Sequence, residues 1–169
     1  MKYTSYSAEA FRNEFMSGVE QINDDKYHEA IISFQNALSI LSFTERKDPE
    51  LESSCYYNLG QSYTHLGDLS SAITAFKKAI EIKPTNEDAY LGLSDCYFKK
   101  ETIDDLKKAE STLTQCLRLF PNNQIANLNK GVALFKLDQY HEAYNTLQKA
   151  VTLGSKEASL YILIVQKYL

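Results

Sequence analysis

The stretch "YYNLGQSYTHLGDLSSAITAFKKAIEIKP", Tyr56 to Pro84, decides how this chain is read. Tyr56, Leu59, Gly60 and Tyr63 fall at i, i+3, i+4 and i+7, which lines them up along one side of a helix. Leu66-Gly67-Asp68 breaks that helix, Gly67 being suited to the left-handed residue that ends one. Ala72, Phe76, Ala79 and Ile80 then draw the stripe of a second helix, and Pro84 stops it. Gly60 and Ala72 are small where the two backbones must nearly touch, so Gly60 is expected to lie against Ala72.

The same markers recur along the chain. Gly18, Ala30, Phe34 and Ala37 make a first copy, and Tyr90, Leu93, Tyr97, Ala109, Leu113, Cys116 and Pro121 a third. Gly131, Ala143, Leu147 and Ala150 make a fourth. Gly18 to Gly60 and Ala30 to Ala72 both span 42 residues. That exceeds a repeat of about 34 by eight, placed after the second helix of copy one through Leu38, Leu41, Phe43 and TERKDP. Gly60 to Ser94 spans 34 but Ala72 to Ala109 spans 37, which puts three more residues between the helices of copy three, in KKETIDDLKKAE.

These insertions explain the likeness of "KYHEAIISFQNAL", from Lys26, to "QYHEAYNTLQKAV", from Gln139. His28/Glu29 and His141/Glu142 stand 113 residues apart because they are one place in two repeats. Adjacent residues on a helix point about 100° apart, so neither His-Glu pair can chelate one ion. Both are expected to face solvent beside the inter-helix turn, and no metal site is expected.

The Tyr56–Pro84 unit resembles the tetratricopeptide repeat, with Tyr56 in the place usually given to Trp. The resemblance implies an all-α fold, an α-solenoid of about four helix-turn-helix units followed by a C-terminal helix. The whole chain, 1–169, is then one domain, with repeats at 11–44, 53–86, 87–123 and 124–157 and a last helix over 158–169.

Composition narrows the function. A net charge of -4 and a pI near 5.4 exclude the basic face of a nucleic-acid binder. The start, MKYTSYSAEAFRNEF, has no apolar core of a secretory signal, and Ala158 to Leu169 is too short to span a bilayer. Cys55, Cys96 and Cys116 form no C-x-x-C and read as small core residues with reduced thiols, which points to the cytoplasm.

No catalytic constellation emerges. "GLSDC", Gly92 to Cys96, looks faintly like a nucleophile elbow, but Ser94 falls inside a helix at the packing place of Gly60 and Gly131. Ser62, His65 and Asp68 lack an oriented base and an oxyanion hole. Asp24-Asp25 and Asp104-Asp105 sit at turns, where Asp caps helices. No phosphate-binding glycine loop is present. The chain is read as no enzyme, without cofactor.

The resemblance also implies where a partner would bind, since first helices line the concave groove of such arrays. Carried over place by place, the lining is Phe15 and Val19, then Tyr57, Asn58 and Gln61, then Leu91 and Asp95, then Leu128, Asn129 and Val132. Phe15, Tyr57, Leu91, Leu128 and Ile162 hold equivalent places and form an apolar stripe, and the Asn58 and Asn129 amides could pair with a partner's backbone. Contact between neighbouring helices is the competing use of that stripe. The subclass that clamps acidic chaperone tails needs Lys, Asn and Arg where this chain has Phe15, Val19, Asp88 and Gly92; only Asn58 matches.

The reading is a protein-interaction adaptor that takes a peptide or amphipathic helix in its groove. The alternatives are a secretion-type chaperone and a self-assembling structural subunit. The last helix bears on this choice. Ser155 is expected to cap it, and Tyr161, Ile164, Val165 and Tyr168 to pack on copy four. Leu160, Leu163 and Leu169 are left over on its outside, a surplus that implies self-association as a homodimer, with coverage by a ligand as the alternative.

Overall fold

The computed structural model describes residues 2–43 and 48–169, with side chains from residue 8 onward; among these it holds nine α-helices and no strand. Residues 44–47, the centre of the first expected insertion, lie outside the described residues. The chain divides into two compact units, residues 1–92 and 93–169. The first contains α1 (Lys2–Asn23), α2 (Tyr27–Ser42), α3 (Pro49–His65), α4 (Leu69–Ile82) and the start of α5 (Glu87–Lys100). The second contains the rest of α5, then α6 (Ile103–Leu119), α7 (Gln124–Lys136), α8 (Tyr140–Thr152) and α9 (Lys156–Val165).

Three hairpin turns are built alike. Each is three residues long with its middle residue in the left-handed region: Asp25 (φ 60°), Gly67 (φ 77°) and Asp138 (φ 60°). Glycine reaches this conformation without cost, whereas aspartate tolerates it because its short side chain bonds locally. Here the carboxylates of Asp25 and Asp138 accept the hydroxyls of Tyr27 and Tyr140, each at 2.6 Å. This corrects the capping role expected of Asp24 and Asp25: Lys26 holds the capping position before α2 and makes no side-chain cap, and Asp24 instead pairs with the Lys26 ammonium at 2.8 Å. The other acidic pair is corrected too. Thr102 caps α6 by accepting from the Asp105 amide at 3.1 Å, and its hydroxyl donates to the Asp105 carboxylate at 2.7 Å. That carboxylate, almost wholly buried, also receives the Lys108 ammonium at 3.0 Å.

The core repeats as the spacing predicts. Ala30, Ala72, Ala109 and Ala143 are fully buried, and so are Ala37, Ala79, Cys116 and Ala150 two turns on. Between them Phe34, Phe76, Leu113 and Leu147 fill the space. The close approach at Gly60 differs from the expectation. A Cβ there would lie 2.7 Å from the ring of Phe76, so the partner of Gly60 is Phe76, not Ala72. Gly18 faces Phe34 and Gly131 faces Leu147 in the same way, and Gly92 also lies against the Phe76 ring. Glycine on the first helix makes room for the large residue of the second.

The insertions lengthen helices more than loops. The turn between α5 and α6 has only Glu101 and Thr102, and the three extra residues become an added turn of α6 ahead of Ala109. Part of the eight-residue insertion likewise lies in α3, which begins at Pro49, capped by the Asp48 carboxylate, 11 residues before Gly60; α7 begins only seven before Gly131.

The last helix departs most from the sequence reading. It ends at Val165, and Ser155 does cap it, accepting from the Ala158 amide at 3.2 Å. From Ala150 to the cap Ser155 is five residues, where Ala79 to Asn86 and Cys116 to Asn123 are seven. Gly154, at φ 96°, makes the difference: its amide and that of Ser155 close back on Val151 and Ala150 in a compact helix-ending turn. The helix is thereby shifted by two places against the repeat. Ala158, Tyr161, Ile162 and Val165 pack on the α7–α8 core, and the Tyr168 ring, though partly exposed, lies against Phe135 and Tyr140 as expected; Ile164, also expected there, is exposed.

Candidate functional site

The residues expected to bind a partner are distributed over the first helices of both units. In the first unit, Phe15 stands T-shaped to Phe34 at 5.6 Å and stacks on Phe11 at 5.8 Å. Val19 packs on the cluster of Ala30, Phe34 and Leu59. Much of the surface of these two is thus spent inside the unit. The Asn58 amide donates to the Ser54 carbonyl of its own helix at 2.8 Å, which commits one of its donors.

Tyr57 has the most defined setting. Its half-buried ring lies 6.0 Å from that of Phe76, and its hydroxyl accepts from the Gln61 amide at 2.6 Å. Partial burial raises the phenol above its ordinary value, nearby Asp88 adds to the rise, and the Gln61 bond opposes it. The group therefore stays a neutral hydroxyl, held in a fixed direction. Leu91, on the part of α5 in the same unit, is also half-buried.

In the second unit, Leu128 packs against the Leu134–Leu147 core, and Asn129 and Val132 are half-buried. Asp95 is exposed by surface area, yet protein crowding lifts its carboxyl above the ordinary value, with Lys99 acting the other way. Ile162 turns into the core, and Leu160 takes the place equivalent to Leu128 because of the two-residue shift. Leu160 and Leu163 are 63% and 62% exposed.

The Tyr-His-Glu-Ala repeat has a structural use. Tyr27 stacks on His65 at 4.3 Å and 7°, and Tyr140 stacks on Tyr168 at 4.9 Å and 19°. His28 and His141 beside them are exposed. Among the described residues no group of three His, Cys, Asp or Glu is arranged to hold a metal. The three cysteines are buried, and burial pushes the Cys55 thiol up to about 12.

Sequence reasoning missed a cleft of about 930 Å³ in the first unit. Leu38 from α2, Tyr56, Leu59 and Tyr63 from α3 and Ile73 from α4 give it apolar surface. Its polar lining is Gln35, Ser39 and Ser42 on α2, and Ser70, Ser71, Thr74, Lys77, Lys78 and Glu81 on α4. The short side chains Ser39, Ser42, Ser70 and Ser71 were the available signal, since they leave space between two helices.

Comparison with known proteins places the chain. A family model described as the cytochrome c-type biogenesis protein H TPR domain matches residues 46–159. The Arabidopsis thaliana protein kinesin light chain-related 3 is 22% identical over 161 residues, covering 85% of this chain and 25% of that protein. The chain therefore spans about a quarter of the length of that relative. Among solved structures, MamA superposes with a TM-score of 0.80 at 18% identity, covering 95% of this chain and 83% of that one. The first TPR of Spaghetti (RPAP3), bound to the HSP90 peptide SRMEEVD, gives 0.63 at 20% identity, covering 68% and 90%. At these identities the solved structures speak for the fold, while the family match spans most of the chain. The chain belongs to the tetratricopeptide-repeat family, an α-solenoid fold of protein-interaction modules.

Proposed function

We propose that the chain is a non-enzymatic adaptor that holds a peptide or amphipathic helix of a partner protein on its first-helix faces. Tyr57 carries this reading. Its polar tip is fixed by Gln61 and its ring is braced by Phe76, so it offers an aromatic anchor at low cost in conformational entropy. Gln61, bonded to it, and half-buried Leu91 of the same unit supply hydrogen bonding and apolar surface. The lack of Lys and Arg at the clamp places, where Asp88 and Gly92 stand, favours an apolar or mixed ligand over an acidic tail. The buried thiols fit a cytoplasmic setting.

A second reading puts an amphipathic helix in the cleft between α2 and α4, whose volume and apolar floor with a hydroxyl and charged rim favour it. Capture from a lysate of the source organism separates the two. Tyr57→Ala with Leu91→Ala removes the first-helix anchor; Ser39→Arg with Thr74→Arg fills the cleft from two exposed positions. Loss of a central anchor commonly costs about 2 kcal/mol or more, roughly thirtyfold in affinity. Loss of the partner with the first pair and retention with the second supports the adaptor reading. The opposite pattern, with helical circular dichroism unchanged, transfers the site to the cleft.

A further inference from the structure

The outer face of α9 is the face on which a repeat closes its own hairpin. Counted from the caps Asn86, Asn123 and Ser155, Ala158 stands where Ala89 and Ala126 stand, and all three are fully buried. On the same count Leu163 stands where Ser94 and Gly131 stand. Ser94 is fully buried, and a Cβ at Gly131 would lie 2.5 Å from Leu147 of the following helix. That is the place where a second helix comes closest. Here it holds a leucine that is 62% exposed, flanked by Leu160 at 63% and Ile164 at 42%. A helix docking at the repeat's ordinary distance would collide with Leu163, so this face suits a partner helix set further out. Leucine at the contact widens the spacing of packed helices within the usual range of about 8–10 Å.

We propose that this partner is α9 of a second copy, packed antiparallel about a two-fold axis near residue 162. Spacing and charge both point to that arrangement. Antiparallel pairing about residue 162 sets Leu160 beside Ile164 of the second copy and the two Leu163 side chains together at the centre. It also sets exposed Glu157, in the first turn, beside exposed Lys167, just past the helix end, on both sides of the axis. A parallel pair would oppose Lys167 to Lys167 instead. A two-fold contact is self-complementary and closes, so it yields a dimer and not a fibre. With ten residues, α9 is only about 15 Å long. The buried area falls short of a standard interface, and the dissociation constant is expected on the order of tens of micromolar.

Sedimentation of the intact chain from about 1 µM to several hundred micromolar tests this. The wild type should pass from monomer to dimer over that range, and Leu163→Glu should weaken the dimer at least about tenfold with unchanged circular dichroism. Glu157→Lys should weaken it as well, and adding Lys167→Glu should restore it, since the double exchange rebuilds the complementary pair. A wild type that stays monomeric throughout overturns the proposal and leaves the face to a foreign helix. A dimer indifferent to Leu163→Glu places the contact elsewhere. Failure of the double exchange to restore what the single one loses refutes the antiparallel arrangement.

Discussion

Replacing Gly60 by alanine sets two effects of known sign against each other. In the middle of α3, alanine is favoured over glycine by about 0.8–1.0 kcal/mol of helix propensity. The added Cβ, however, would sit 2.7 Å from three ring carbons of Phe76, or within 0.1 Å of that. The ring is 2% exposed, and the place of a Cβ at Gly92 is only 2.5 Å from it, so it has little room to retreat. Strain from overpacking runs to about 1–3 kcal/mol when neighbours cannot give. The steric effect should win, leaving Gly60→Ala destabilised by up to about 2 kcal/mol, or a few degrees in melting temperature for a chain of this size. Phe76→Leu should relieve the clash, so the double variant should lose less than the sum of the single losses. Urea unfolding followed by circular dichroism reads all three. A Gly60→Ala chain as stable as the wild type, or more so, would show that the two helices are not in this contact.

Thr102→Ala should cost about 0.5–2 kcal/mol through loss of the α6 cap, measured by the same unfolding. Asp105 is held below the usual carboxylate range, first by the Thr102 hydroxyl and then by Lys108. A lowered folded value means its contribution is present above the ordinary carboxylate pKa and fades as pH falls through the lowered one. The stability gap between wild type and Asp105→Asn should therefore narrow from pH 7 toward about pH 3, and a gap constant with pH would contradict the ion pairing. With Cys55 raised to about 12 by burial, its thiol is neutral at pH 8. A thiol reagent should label it only at the rate of opening, and immediate labelling in the folded state would refute its burial.

How much of this was legible follows from what the repeats share. The buried alanines, the aromatic and leucine fillers and the inter-helix breaks could be read because each unit needs them for the same reason. The partner of Gly60 was misassigned because spacing along one helix does not say which residue of its neighbour fills the gap. Period arithmetic led to the expectation of two insertions, yet it could not say that residues counted as extra would extend α6 and α3. The candidate site was less legible still. The first-helix residues were named by place, but their division between packing and exposure depends on side-chain contacts, as Phe15 on Phe34 shows. The cleft is a property of space between helices, and the only trace of it in the sequence was a set of serines.

The α9 register shows why departures from the repeat carry the functional information. A glycine at the close-approach place is demanded by the helix that follows, as Gly60 and Gly131 demonstrate through Phe76 and Leu147. Where that helix is not packed against the face, the demand lapses, and the side chain is free to answer to whatever lies outside. A polar residue at Leu163 would have served a face turned to water. The chain instead places leucine there, with Leu160 and Ile164 on either side of it. Three apolar side chains on one face of a ten-residue helix are a cost to solubility unless something covers them. The shortened Gly154 turn leaves their places counted from the cap unchanged: two more residues in that connection would make Ala150 to Leu163 fifteen residues, as Ala79 to Ser94 and Cys116 to Gly131 are, with Leu163 still at the close-approach place. Inserting two residues after Gly154 should therefore leave concentration-dependent association in place, whereas Leu163→Glu weakens it. If the lengthened chain no longer pairs, the exposed leucines on α9 are not by themselves what holds two copies together.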